Sequence, residues 1–183
     1  MFVLHIALQG CLRGDGVVYG LTADTGGHIR YLLDLVSASV QDRDLTRIVV
    51  ATRLFRGSLG AAYAVPEEPI ADKVTLVRLA SASPDYRAKE AMHAEVTSFA
   101  ENLITAHSLG RVKATMLGTA PVRPDLARRI AAEEEAVARA QLVIASSRDE
   151  AEVQYAGYAA YDPGRVRVLP PGSDLARFAA AQT

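Results

Sequence analysis

The chain has no tryptophan, a single cysteine and few rings: only 6% of its 183 residues are aromatic. The lone Cys11 excludes an intramolecular disulfide and fits a reducing compartment. So few aromatic side chains give no sign of a stacking platform for bases. Charge of one sign is also lacking. Twenty Lys+Arg against 21 Asp+Glu leave a formal net charge of −1. That balance argues against nucleic acid as a bulk partner and leaves room for a local basic pocket. No apolar run approaches the length of a membrane span. The N-terminal run Phe2-Val3-Leu4-His5-Ile6-Ala7-Leu8 is short, and no basic residue precedes it. Although Leu8-Gln9-Gly10-Cys11 resembles a lipoprotein cleavage box, the run reads as a buried strand. There is no Walker motif, no paired-cysteine metal site and no G-x-S-x-G elbow. His5, His28, His93 and His107 lack ligand spacing. The expectation is a soluble, cytoplasmic protein with no cofactor, no metal and no nucleic-acid or membrane partner.

What is present is a hydrophobic content of 50%, enough for one domain with a real core. Its most informative stretch is Asp24-Thr25-Gly26-Gly27-His28. An apolar strand precedes it. After it, Ile29, Leu32, Leu33 and Val36 fall at i, i+3, i+4 and i+7, one stripe of an amphipathic helix. Two glycines at a helix entry let a ligand approach the backbone, because no Cβ stands in the way. The free N–H groups and the dipole of the helix start suit an anion such as phosphate. The plainer alternative is a Gly-Gly turn into a helix.

The first helix is expected from about Gly27 to Ser39, and a second strand over Arg47–Thr52. Gly57 to Pro69 reads as loop, broken by Gly57, Gly60, Pro66 and Pro69. Lys73–Leu79 alternates apolar and polar, the pattern of an edge strand. A helical segment opens over Pro84–Ala88 and runs through Lys89, Met92, Val96, Phe99 and Leu103. Another spans Pro124 to about Ala140, its buried face made by Leu126, Ile130 and Val137. Leu142–Ser146 is a compact strand, Ser147 and Glu150 fit a capping box, and Val166–Leu169 is the last strand. Strands alternating with helices predict an α/β fold, a Rossmann-like, mainly parallel sheet with helices on both faces. One place breaks the alternation: between Ile104 and Pro124 there is hardly a strand.

Several motifs together resemble a known family. Leu12-Arg13-Gly14, Asp24-Thr25-Gly26-Gly27-His28 and Thr52-Arg53 come first, followed by Tyr86-Arg87-Ala88-Lys89-Glu90. Ala106-His107-Ser108-Leu109-Gly110-Arg111-Val112-Lys113, Arg129-Ile130-x-x-Glu133 and Pro170-Pro171-Gly172 then follow in order. The set resembles the sucrose-phosphate synthases and their sucrose-synthase relatives, retaining glycosyltransferases of the two-domain GT-B type. The resemblance implies that residues 1–170 are the acceptor-side domain and 171–183 the start of an interdomain linker. It implies fructose 6-phosphate as acceptor and UDP-glucose as the nucleotide sugar. Gly26, Gly27 and His28 would face the substrates, and Lys89, Lys113 and Arg129 would hold the acceptor phosphate. His107 would lie against the donor sugar as a catalytic candidate.

Each of these has a plainer reading: Lys89 a solvated helix residue, Arg129 a partner of Glu133 at i+4, His107 a helix-end histidine. Where many relatives carry glutamine after the glycines, His28 stands here, with a different reach and a titratable proton. The family also carries a strand-helix-strand segment before the His107 motif that is missing here, a loss of about 30 residues or more, the size of a βαβ unit. It coincides with the break in alternation. The chain further stops where a donor domain would begin. The expectation is therefore an acceptor-binding part that is inactive alone, or else a sugar-phosphate-binding module or a subunit docking with a separate C-terminal donor domain.

Overall fold

The structure, a computed structural model, describes residues 1–57, 59–107, 126–170 and 172. They fall into two compact units, Met1–Met116 and Leu117–Thr183, which are taken one at a time. The first holds β1 (Phe2–Ala7), α1 (Gly27–Ser39), β2 (Arg47–Arg53), β3 (Glu67–Ala71), β4 (Val74–Leu79) and α2 (His93–His107). The sheet order is β1-β2-β4-β3. The β1–β2 and β2–β4 pairs are parallel, with Phe2 opposite Arg47 and Ile48 opposite Val74. The β3–β4 pair is antiparallel.

Residue parity sends each strand's side chains to two faces. Val3, Ala7, Ile48, Val50, Val74 and Leu76 pack with Ile29, Leu32 and Val36 of α1. Leu4, Ile6, Ala51 and Leu79 pack with Phe99 and Leu103 of α2. The expected mainly parallel sheet with helices on both faces is therefore observed. Apolar residues on both faces of β2 explain why it reads as a continuous hydrophobic run, buried from Ile48 to Arg53.

Three expectations are corrected. The supposed loop Gly57 to Pro69 contains a helical turn at Ala61–Ala64 and ends in strand β3. Pro69 is tolerated because β3 is an edge, and the register shifts between Pro69 and Ala71. In consequence β4 is not an edge strand. It lies between β2 and β3, and its polar Arg78 is buried, paired with Glu68 of β3. The third correction concerns the helix expected from Pro84. A short turn at Lys89–Ala91 precedes α2, which starts only at His93, and Val96 is exposed on it. Leu103 to Ala106 lies inside α2. The junction at Ile104 and Thr105, before the His107 motif, where the missing segment was inferred, falls inside α2; residues 108–125 lie outside the described residues.

The second unit contains α3 (Leu126–Arg139) and two short parallel strands, β5 (Val143–Ala145) and β6 (Val166–Val168). The Arg165 guanidinium closes the end of α3, donating to the carbonyls of Ala140 at 2.8 Å and Ala138 at 3.3 Å. Val137 is buried as expected, but Ile130 is 43% exposed, so the predicted face of α3 is only partly covered. The Ser147 hydroxyl accepts from the Glu150 N–H at 3.1 Å, one half of the capping box. The other half is shifted by a residue: Glu150 accepts from the N–H and the hydroxyl of Ser146, both at 2.6 Å. Among the described residues, no helix is long and apolar enough to cross a membrane.

Candidate functional site

The parallel strands β1, β2 and β4 end on the same side of the sheet, where ligands bind in open α/β folds. Two buried arginines at these ends organise the loops. Arg53, the last residue of β2, shares the parity of the α2 face and is fully buried. Its guanidinium donates to the carbonyls of Ser83 and Asp85 at 3.0 Å, to Ser81 Oγ at 2.8 Å and to Glu95 Oε2 at 3.1 Å. The Glu95 carboxylate also accepts from the Ser83 N–H at 3.0 Å. Burial alone would raise its pKa, but these bonds and the Arg53 and Arg87 charges win and hold it below the ordinary value. Arg78 works on the other face, donating to the carbonyls of Val65 at 2.9 Å and Leu12 at 3.1 Å. Its partner Glu68 accepts from the Gly14 N–H at 2.9 Å.

The long loop after β1 is thereby a built structure. Gly10 has a φ of +84°, and a Cβ there would sit 2.7 Å from the Asp24 carbonyl oxygen. The backbone crosses itself at this point, and glycine is required. The Cys11 N–H donates to Thr25 Oγ1 at 2.9 Å, and that hydroxyl also bonds Thr22 Oγ1 at 2.7 Å. Burial pushes the Cys11 thiol up, the state of an inert structural cysteine.

These contacts set the start of α1. Asp24 and Thr25 are both side chains that commonly cap helices, yet neither does so here. The Thr25 hydroxyl is committed to Cys11 and Thr22, and the Asp24 carboxylate accepts from the Tyr86 hydroxyl. Gly26 takes the cap position without a side-chain bond, and the first turn carries no acidic residue. Among the described residues, nothing lies within 4 Å of where a Cβ at Gly26 or Gly27 would stand. Among the described residues the result is an open helix start, suited to an anion at its positive dipole end. His28, the second residue of α1, is exposed.

Gly26, Gly27 and His28 thus stand together. Lys89 is half-buried in the turn that follows the Tyr86 segment, and the Tyr86–Asp24 bond ties that segment to the loop before α1. His107 ends α2 and Arg129 lies in α3, but their side chains are outside the described residues, as is all of Lys113. Sequence reasoning missed the roles of Arg53 and Tyr86. An arginine ending an otherwise apolar strand was the available signal for the first; nothing local signals the second. Among the described residues no group of three or more His, Cys, Asp and Glu side chains gathers to hold a metal.

A mainly parallel sheet covered by helices on both faces, with a glycine-rich helix start at the strand ends, is a Rossmann-like arrangement. The solved structure of sucrose-phosphate synthase from Thermosynechococcus elongatus shares it, with a TM-score of 0.74 and 14% identity over 99% of this chain and 52% of that one. In sequence, the chain is similar to D-inositol 3-phosphate glycosyltransferase from Geodermatophilus obscurus, 43% identical over 74 residues, 40% of this chain and 16% of that protein. It is also similar to sucrose-phosphate synthase 4 from Arabidopsis thaliana, 21% identical over 88% of this chain and 22% of the synthase. That match extends over 229 residues, more than the 183 of this chain, so the two differ in length within the shared region. The aligned regions make up a minor part of both proteins' length. No protein-family profile matches the chain. The resemblance to sucrose-phosphate synthases therefore stands on both sequence and fold.

Proposed function

We propose that residues 1–170 are the acceptor-side domain of a retaining glycosyltransferase similar to sucrose-phosphate synthase, and that the domain binds a sugar phosphate. The observation that carries this reading is the uncapped start of α1 at Gly26-Gly27, open to an approaching anion. The acceptor is fructose 6-phosphate and the donor UDP-glucose. The phosphate lies against the N–H groups of Gly27 and His28; the family resemblance gives Lys89, Lys113 and Arg129 as candidate cations for it. Arginine contributes a planar fork and lysine a point charge. His28 reaches the sugar, and His107 faces the glucose in transfer.

A GT-B cleft closes from two sides, and reaction needs donor and acceptor held in attack geometry. The 183-residue polypeptide, taken alone, supplies one side. It binds acceptor and transfers no glucose until a donor domain, covalently joined or separate, completes the cleft. A second acceptor is favoured by the 43% identity to an inositol-phosphate enzyme, namely inositol 3-phosphate. Calorimetric titration with fructose 6-phosphate, inositol 3-phosphate and UDP-glucose separates these readings. A phosphorylated acceptor should bind and UDP-glucose should not. Failure of both acceptors to bind would end the proposal, and disaccharide-phosphate synthesis by the polypeptide alone would end its one-sided form.

A further inference from the structure

We propose that Tyr86 is a positioning residue that holds the Asp24 carboxylate away from the start of α1, so that a substrate phosphate meets an unoccupied helix terminus. The inference rests on the phosphate reading above and adds how that site is kept open. Asp24 stands two residues before the cap position Gly26, so its carboxylate is the nearest anion in sequence to the helix start. Tethered there, it would compete with any phosphate from solution, as a cap or as a repelling charge. The Tyr86 hydroxyl instead donates to Asp24 Oδ2, bridging 62 residues of chain.

Tyr86 is held firmly for this task. Its ring lies 6.2 Å from that of Phe55, tilted by 56°. The Arg53 guanidinium sits over the same Phe55 ring at 5.1 Å and binds the carbonyls of Ser83 and Asp85. The backbone leading into Tyr86 is thus fixed by a buried arginine, and the hydroxyl arrives from a rigid base. With Thr25 bonded to Cys11 and Thr22, and Asp24 to Tyr86, the Gly26 cap receives no side-chain bond.

The test compares wild type, Tyr86→Phe, Asp24→Ala and the double variant, titrated with fructose 6-phosphate and inorganic phosphate. Tyr86→Phe keeps the ring and frees the carboxylate, and should raise Kd roughly three- to tenfold, the scale of a charge at a helix terminus. Asp24→Ala should bind like wild type. The double variant should recover nearly all the affinity lost in Tyr86→Phe. A merely structural role for Tyr86 would give no such rescue, so a double variant as weak as Tyr86→Phe overturns the proposal, as does Tyr86→Phe binding like wild type. Amide hydrogen exchange at Gly27 and His28 gives an independent reading. Both amides should exchange more slowly in Tyr86→Phe, where the freed carboxylate accepts from them, and recover in the double variant. If wild type binds no phosphate, the proposed function falls by itself. Exchange then judges the Tyr86 role alone, and equal rates in all four proteins overturn it.

Discussion

Replacing Glu95 by alanine should strongly destabilise the first unit. Its carboxylate is 1% exposed and faces the Arg53 guanidinium, which is itself 0% exposed. Without it, Arg53 keeps the carbonyls of Ser83 and Asp85 and the Ser81 hydroxyl, but its charge loses its buried counterion. The Ser83 N–H loses its carboxylate acceptor as well. Breaking a buried pair from one side costs about 3–5 kcal/mol, because the remaining charge is uncompensated. Against a total stability of about 5–15 kcal/mol, that is a large share. With no tryptophan to report unfolding, urea titration followed by far-UV circular dichroism is the suitable assay. At an m-value near 2 kcal/mol/M, the midpoint should fall by roughly 1.5–2.5 M. Asp34→Ala, which removes the exposed partner of Arg30, serves as the control and should move the midpoint by about 0.3 M or less. Replacing both Arg53 and Glu95 by apolar residues should recover much of the loss. A Glu95→Ala midpoint as close to wild type as that of Asp34→Ala would refute the reasoning.

Gly10→Ala should destabilise by about 1–3 kcal/mol through its left-handed backbone, with the 2.7 Å approach to the Asp24 carbonyl adding to it. Gly27→Ala meets open space and should melt near wild type while weakening phosphate binding; thermal melts and titrations of both variants check the contrast. Glu95 and Glu68 are held below their ordinary value near 4.5: burial opposes this, and their hydrogen bonds and arginine partners outweigh it. Their stabilisation is therefore complete above that pH and is lost as pH falls through the depressed values. Urea midpoints measured from pH 7 down to 3 should decline only below about pH 4.5, with a flatter decline in Glu68→Gln.

The strands and helix before Arg53 were legible because packing on both faces makes β1 and β2 mostly apolar, and α1 carries a single apolar stripe. The hairpin was not. Pro66 and Pro69 look like breakers until β3 is seen to be an edge, where missing N–H donors cost little. The alternation that ends in Arg78 made β4 read as an edge strand, whereas Arg78 pairs with Glu68 on the neighbouring β3. The Gly26-Gly27 helix start was visible as a pattern. Its openness was not, because it depends on where Asp24 and Thr25 send their side chains, to partners 62 and 14 residues away. Local spacing carries no information about such partners.

The central claim is that the chain recognises the phosphate of a sugar phosphate, a role proposed for the start of α1 and, from the family resemblance, for Lys113 and Arg129. Its most direct test is a titration of fructose and fructose 6-phosphate into wild type, Lys113→Ala and Arg129→Ala. Wild type should prefer the phosphorylated sugar, with affinity falling as salt rises. Each variant should lose roughly 1.5–3 kcal/mol of binding to fructose 6-phosphate, one charge-assisted bond, with fructose unaffected. Equal affinity of wild type for the two sugars, or variants that bind fructose 6-phosphate like wild type, would contradict it.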